Sequence, residues 1–185
     1  MTQDDLQHTR LGYLRGVLAE HWPVPSRIPT LLAFSRDSNV TAVTFGRLGF
    51  RVEEISADDP LEGLRQQLPR RKACFDVVCC WDLLEQYDDW QDVVAMMARA
   101  VTSGGVFFYS VCGPVKGSRR EPQGVLRRLG LSPQPPVGLE HELGPASPRP
   151  TRRNRVVSYM GYAIRRKDRA MRLRGAACAG EPCPQ

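Results

Sequence analysis

The chain has 185 residues, 42% of them hydrophobic and 25% charged, with a formal net charge of +6. That length allows one domain with a real core, and no apolar run approaches the ~20 residues a membrane span needs. The amino terminus, MTQDDLQHTR, has neither the apolar core of a signal peptide nor the Arg-rich, acid-poor character of a transit peptide, so the expected location is cytoplasmic.

Residues 4–20 place Leu6, Leu11, Leu14 and Leu18 at helical spacing, which predicts an amphipathic lead-in helix. The Pro-rich HWPVPSRIP ends it, so residues 1–29 read as lead-in helix plus linker. TLLAF (30–34) is the first strand, VTAVTFGRLG (40–49) a helix closed by Gly49, and FRVEEIS (50–56) the second strand. Asp58 or Asp59 can cap a short helix over PLEGLRQQL, with Pro60 suited to its first turn. CFDVVCCW (74–81) is the third strand, and Asp88 or Asp89 is placed to cap the helix WQDVVAMMARAV, which stops at TSGG. GVFFYSV (105–111) is the fourth strand.

Further on, GVLRRLGL reads as a short helix, PVGLEHEL and RVVSYMGYAI as a closing antiparallel pair, and LGPASPRPTRR as loop. Strands that alternate with helices imply a parallel sheet covered on both faces, and continuously apolar strands agree. The expected fold class is α/β: a Rossmann-like parallel sheet with helices on both faces and a closing antiparallel strand pair. The expected domain spans residues 1–165, followed by a basic, disordered tail over 166–185.

The positive charge is not spread evenly. Residues 149–185 hold ten Lys and Arg against Asp168 and Glu181, whereas residues 1–148 are slightly acidic. Such a tail can touch nucleic acid, an anionic membrane or an acidic partner; the plain alternative is a solvated tail. Of six cysteines, Cys74, Cys79, Cys80 and Cys112 lie in or beside apolar runs and are expected as reduced, buried thiols. Cys178 and Cys183 have no paired set at zinc spacing, so no structural metal is expected. His8, His21 and His141 are scattered, and His141, between Glu140 and Glu142, reads as a solvated strand edge. Arg152, Arg153 and Arg155 precede Tyr159 and Tyr162, an interleaving that suits RNA, but the tyrosines sit in an apolar strand pattern that suits core.

The order of elements resembles the class I S-adenosylmethionine-dependent methyltransferases. The resemblance is densest in FDVVCCWDLLEQYDDWQDVVAMMARAVTSGGVFFYSV (75–111), where Gly104 and Gly105 fill the family's GG turn. It looks closest to the ubiquinone-biosynthesis O-methyltransferase branch, which methylates polyprenyl catechols and phenols. Aligned backwards from RLGFRV, the family's GCGGG loop falls on Ser35, Arg36, Asp37, Ser38 and Asn39. Its motif aspartate falls on Ala33, and the acid that holds the ribose falls on Ser56. The resemblance therefore implies cofactor contacts at Ser35, Asp37, Asn39, Ser56 and Cys80, with Asp58 or Asp59 able to stand in for the ribose acid.

The departures carry physical weight. Glycines permit positive φ and close approach of the ligand to the backbone. Asp37 and Asn39 tolerate the left-handed region but add side chains, and Asp37 adds a negative charge. A hydrogen bond to a charged group is worth roughly 1.5–3 kcal/mol, so the missing ribose acid alone could cost about 10–100-fold in affinity. The strand whose end grips the adenine also has no counterpart between PLEGLRQQLPRRKA and FDVV, so the fold is expected to be truncated relative to the family. The family's substrate lid shrinks to CGPVKGSRREPQ.

A Glu-x-x-Glu-His arrangement that can hold a divalent cation in that branch reads Asp82-Leu83-Leu84-Glu85-Gln86 here. Asp82 and Glu85 are thus the candidate metal ligands, although Gln86 cannot take a proton; the plain alternative is a solvated turn. Two classes of function stand open. One is a small-molecule O-methyltransferase that binds S-adenosylmethionine weakly and acts on a phenolic acceptor. The other is a non-catalytic scaffold or silent subunit with a protein partner, brought to a polyanion by its basic tail.

Overall fold

The computed structural model describes residues 3–21, 27–35, 45–55, 65–66, 73–81, 84, 87–114, 121–142 and 155–166. Helix α1 (Gln3–His21) leads into β1 (Thr30–Ser35), β2 (Arg51–Ile55) and β3 (Phe75–Trp81). Helix α2 (Trp90–Ala100) passes directly into β4 (Val101–Pro114), followed by α3 (Gln123–Arg128), β5 (Leu131–Pro133), β6 (Val137–Glu142) and β7 (Arg155–Arg165). They form one seven-stranded sheet in the order β2-β1-β3-β4-β7-β5, with β6 also paired to β7. β2, β1, β3 and β4 are parallel, and β7 runs antiparallel to β4, β5 and β6. This is the expected Rossmann-like fold with its closing antiparallel pair.

The strand sequences explain the two-sided core. Leu31 and Ala33 of β1, Val77, Cys79 and Trp81 of β3, and Val106 and Phe108 of β4 pack beneath Leu14, Val17 and Leu18 of α1. The intervening Leu32, Phe34, Val78, Cys80, Phe107 and Tyr109 pack against Val93, Val94 and Met97 of α2 and Leu126 of α3. The side-chain period of two sends alternate residues to opposite faces, so an unbroken apolar run fills both layers.

The turn into β2 is a Schellman motif. Phe50 N–H donates to Phe45 O at 3.0 Å and Gly49 N–H to Gly46 O at 3.0 Å, with Gly49 at φ 86°. Phe50 stacks edge-on against Phe45 at 5.4 Å between centroids, the apolar contact that such a cap favours. Gly49 closes the helix as its sequence suggests; residues 40–44 of that helix lie outside the described residues, as do most of PLEGLRQQL, the loop 143–154 and the tail beyond Arg166.

Four expectations need correction. TSGG is not a stop before a strand at 105, because the strand begins at Val101. Phe75 pairs with Val101 and Val77 with Val106, so TSGG forms a bulge inside β4. Gly104 supplies φ 81° there, and a Cβ on Gly105 would stand 2.7 Å from the Asp76 carbonyl oxygen. Asp89 is the N-cap residue of α2, but its side chain makes no capping bond; its carboxylate takes Arg65 Nη2 at 3.1 Å instead. Cys74 is exposed rather than buried, since it precedes the first inward position of β3. In GVLRRLGL the helix ends at Arg128, and Gly130 at φ 79° turns the final leucine into β5.

Candidate functional site

In an open α/β sheet, ligands sit outside the carboxyl ends of the strands where the strand order reverses. Here the chain leaves β1 on one side to form β2 and returns on the other to form β3, so the reversal lies between β1 and β3. Ser35 and Trp81, the last residues of those strands, are register partners, as are Phe34 and Cys80. The described strands end at Ser35, Ile55 and Trp81. These are the residues that Asp37, Asn39, Ser56, Asp58 and Asp82 follow in sequence. Asp37, Asn39, Ser56, Asp58, Asp59, Asp82 and Glu85 themselves lie outside the described residues.

One described residue at this edge was not singled out by sequence reasoning. Arg10 of α1 is only 8% exposed, and its guanidinium carbon stands 6.0 Å from the centroid of the Trp81 ring. A cation held over an indole face at the carboxyl edge suits an anionic group of a ligand. The helical pattern of α1 counts only its leucines, which is why Arg10 escapes notice. Leu84, beyond β3, is fully buried. Cys80 is also fully buried among Leu32, Phe34 and Val78, so its thiol faces the core and not the edge.

One strand further across, Tyr109, Val111, Glu121, Pro122, Gln123, Pro136 and Tyr159 line a small, open depression. It is joined to the reversal point by register, since Cys80 of β3 pairs with Tyr109 of β4. Tyr109 faces Gly161 on β7 and Val111 faces Tyr159. Two rings and two prolines give an apolar slot, and Glu121 and Gln123 supply polar groups. Tyr159 is half-buried here rather than core, and Tyr162 is half-buried on the opposite face, where its hydroxyl lies 3.0 Å from His21 Nε2.

Ordinary nucleophiles are muted. Burial pushes the Cys79 thiol well up, so it holds its proton. Tyr13 is pushed up to about 12 by burial and by its neighbours Tyr162 and Tyr109, and Tyr162 is raised by burial and then by Glu20. Among the described residues no group of His, Cys, Asp and Glu side chains could hold a metal ion.

Residues 30–109, from the first residue of β1 into β4, match the family model described as a methyltransferase domain. The chain is similar in structure to the 1,6-didemethyltoxoflavin-N1-methyltransferase of Burkholderia thailandensis, solved with its substrate and S-adenosylhomocysteine. That match has a TM-score of 0.53 at 18% identity, over 82% of this chain and 76% of the other. It is similar also to the geranyl diphosphate C-methyltransferase of Streptomyces coelicolor A3(2), with a TM-score of 0.55 at 16% identity over 85% and 80%. A third similar structure is a complex between the Haloferax volcanii Trm112 methyltransferase activator and a methyltransferase, with a TM-score of 0.52 at 12% identity over 82% and 92%.

The fold is that of a class I methyltransferase. No curated protein sequence matches the chain. In this methyltransferase fold the buried Asp76, the acid of FDVV, sits at the far end of β3 from the candidate site. Its carboxylate accepts from Thr30 N at 2.9 Å, from Thr102 Oγ1 at 3.3 Å and from Arg27 Nη2 at 2.6 Å. The methyltransferase-like FDVV therefore carries an architectural acid, tying β1, β3 and β4 together where they begin. Its charge, flanked by apolar residues, was the signal available in sequence.

Proposed function

We propose that the chain binds S-adenosylmethionine weakly at the reversal between β1 and β3 and is an O-methyltransferase of low activity toward a small phenolic acceptor. The observation that supports this most is the adjacency of two features. The Arg10–Trp81 pair marks the carboxyl end of β3 on the α1 face of the sheet, and the Tyr109–Tyr159 depression opens at the neighbouring strand on the α2 face.

S-adenosylmethionine, when bound, supplies an electrophilic methyl group. Arg10 is the described cation suited to its carboxylate, with Ser35, Asp37, Asn39 and the main chain of Cys80 around it. Asp58 takes the ribose in place of the acid that Ser56 lacks. The ring slot orients a flat acceptor, and Glu121 at its mouth can take the acceptor's proton. Asp82 and Glu85 are the pair to which a divalent cation would go. The weakness follows from the loop: no glycine stands between Ser35 and Asn39, and Asp37 repels a ligand carboxylate.

Calorimetric titration with S-adenosylhomocysteine tests this. Measurable binding is expected, tightened about 10–100-fold by Ser56→Asp, which restores one charged hydrogen bond, and weakened by Asp58→Ala. No binding at millimolar ligand, with cooperative unfolding intact, would instead favour a non-catalytic scaffold or silent subunit of a heteromer. That second reading draws on β2, which among the described residues is an edge strand with one side unpaired. The activator-bound neighbour is a precedent for a protein partner.

A further inference from the structure

The two edges of the sheet carry opposite charge. Described acids gather at the carboxyl edge, with Asp88, Asp89 and Asp92 at the start of α2 and Glu121 before α3. The amino edge gathers arginines. Arg27 precedes β1, Arg47 ends the helix before β2 and Arg51 opens β2. Arg99 ends α2, whose final carbonyls accept from the amides that lead into β3. Arg127 and Arg128 end α3 just before β5, and Arg166 follows β7, whose Arg165 pairs with the first residue of β5.

Favourable placement at helix carboxyl ends accounts for Arg99, Arg127 and Arg128. The same placement accounts for Arg47, in the last turn of the helix that Gly49 closes; it does not account for Arg27, Arg51 and Arg166, which lie outside helix ends. Among the described residues the exposed carboxylate at this edge is Glu20, in the last turn of α1. Asp76, which pairs with Arg27, is buried, and the Arg27 side chain remains 60% exposed.

Apolar exposure coincides with this charge. Of the three exposed large hydrophobic side chains among the described residues, Ile28 is 70% exposed and Leu48 46%. Arg51 N–H donates to Pro29 O at 2.9 Å, so the segments leading into β1 and β2 run side by side. Ile28, one residue before Pro29, and Leu48, three residues before Arg51, thus both belong to the segments at this edge that carry Arg27, Arg47 and Arg51. Among the described residues the exposed large hydrophobics are aliphatic, and such side chains suit insertion between lipid headgroups better than stacking on bases.

We propose that the amino edge of the sheet is a docking surface for an anionic lipid bilayer, with the arginines on the headgroup phosphates and Ile28 and Leu48 dipping into the interface. From β2 to β5 the edge is roughly 24 Å wide at ordinary strand spacing. The candidate ligand site is at the opposite edge and stays open to the aqueous side.

The test is cosedimentation of the full chain with vesicles of phosphatidylcholine alone and with vesicles of phosphatidylcholine and phosphatidylserine in equal parts. Binding is expected only to the latter and is expected to fall with added salt. Arg47→Gln with Arg51→Gln should weaken it roughly 30-fold, at about 1 kcal/mol for each arginine. Ile28→Ser with Leu48→Ser should weaken it while leaving its salt dependence unchanged. If the first pair lowers the unfolding temperature, Arg127→Gln with Arg128→Gln reads the same surface. Absence of binding to the anionic vesicles overturns the proposal. So does binding that no edge variant changes, which would assign it to the tail, or tighter binding to a single-stranded RNA that Ile28→Ser with Leu48→Ser leaves intact.

Discussion

Tyr109 lies across the bare Cα of Gly161. The two residues face each other between β4 and β7, and a Cβ on Gly161 would come within 2.4 Å of both Tyr109 Cζ and Oη. Gly161 is thus what lets the Tyr109 ring lie down and line the depression beside Tyr159. Gly161→Ala should displace the ring, lower stability by about 1–3 kcal/mol and change the near-ultraviolet circular dichroism of tyrosine. Gly16→Ala, on α1 with nothing within 4 Å of the added methyl, should stabilise by roughly 0.5–1 kcal/mol. Equal effects of the two substitutions would refute the role given to Gly161.

Asp76 holds three strands with one carboxylate, so its removal should cost more than removal of its charged partner. Asp76→Ala leaves the Thr30 amide, 2.9 Å from the carboxylate, without its acceptor in a part-buried site. About 2–3 kcal/mol is expected for a charge-assisted bond of that kind, a fall of roughly 5–10 °C in Tm for a chain of this size. Arg27→Ala should cost about 1 kcal/mol or less, because the guanidinium is largely exposed and solvent screens the pair. Thermal unfolding of both variants checks the order.

Alkaline titration offers a third check. Tyr13 is raised from its ordinary value of 10.0 to about 12 by burial and then by Tyr162 and Tyr109. The folded chain therefore holds a proton that the unfolded chain releases first. Stability should be unaffected by this group below pH 10 and fall between pH 10 and about 12, the unfolded state binding fewer protons throughout that window. Tyr162, raised in the same direction, adds to the fall. Tyrosinate absorbance against pH should show these phenols titrating late in the folded protein, and Tyr13→Phe should flatten the loss of stability.

Thiol labelling tests the burial of three cysteines. Cys74 is exposed, whereas Cys79 and Cys80 are buried in opposite layers of the core. A thiol reagent should modify Cys74 in the native protein and reach Cys79 and Cys80 only on unfolding, as peptide mapping would show.

Much of this architecture could be read from local chemistry. The run from Phe75 to Trp81 is apolar at every position but Asp76 and becomes a strand buried along its whole length. Gly49 announces its cap because only glycine takes φ 86° at no cost there. What stayed hidden depends on partners distant in sequence. Gly104 and Gly105 look like a stop signal; their use in a bulge is decided by the Asp76 carbonyl across the sheet. Asp89 looks like a cap until Arg65 claims its carboxylate. Arg10 joins the candidate site only because α1 crosses the end of β3. The loop candidates were legible as residue types, and their roles remain chemical expectations from those types.

The loop provides the sharpest separation of stability from function. Ser35→Gly, Asp37→Gly and Asn39→Gly together restore the space and backbone freedom that close approach to a cofactor requires, and they remove the charge of Asp37. Under the proposed function this triple variant should bind S-adenosylhomocysteine at least about 10-fold more tightly, since relief of one charged or steric clash is worth roughly 1.4 kcal/mol or more. The same change frees the unfolded chain and should lower stability by about 0.4–1 kcal/mol for each glycine introduced. Affinity and stability therefore move in opposite directions, which a general tightening or loosening of the fold cannot produce. Calorimetric titration read beside thermal unfolding distinguishes the outcomes. If affinity stays flat while stability falls, the loop is not what limits binding, and the non-catalytic subunit becomes the better account of this fold.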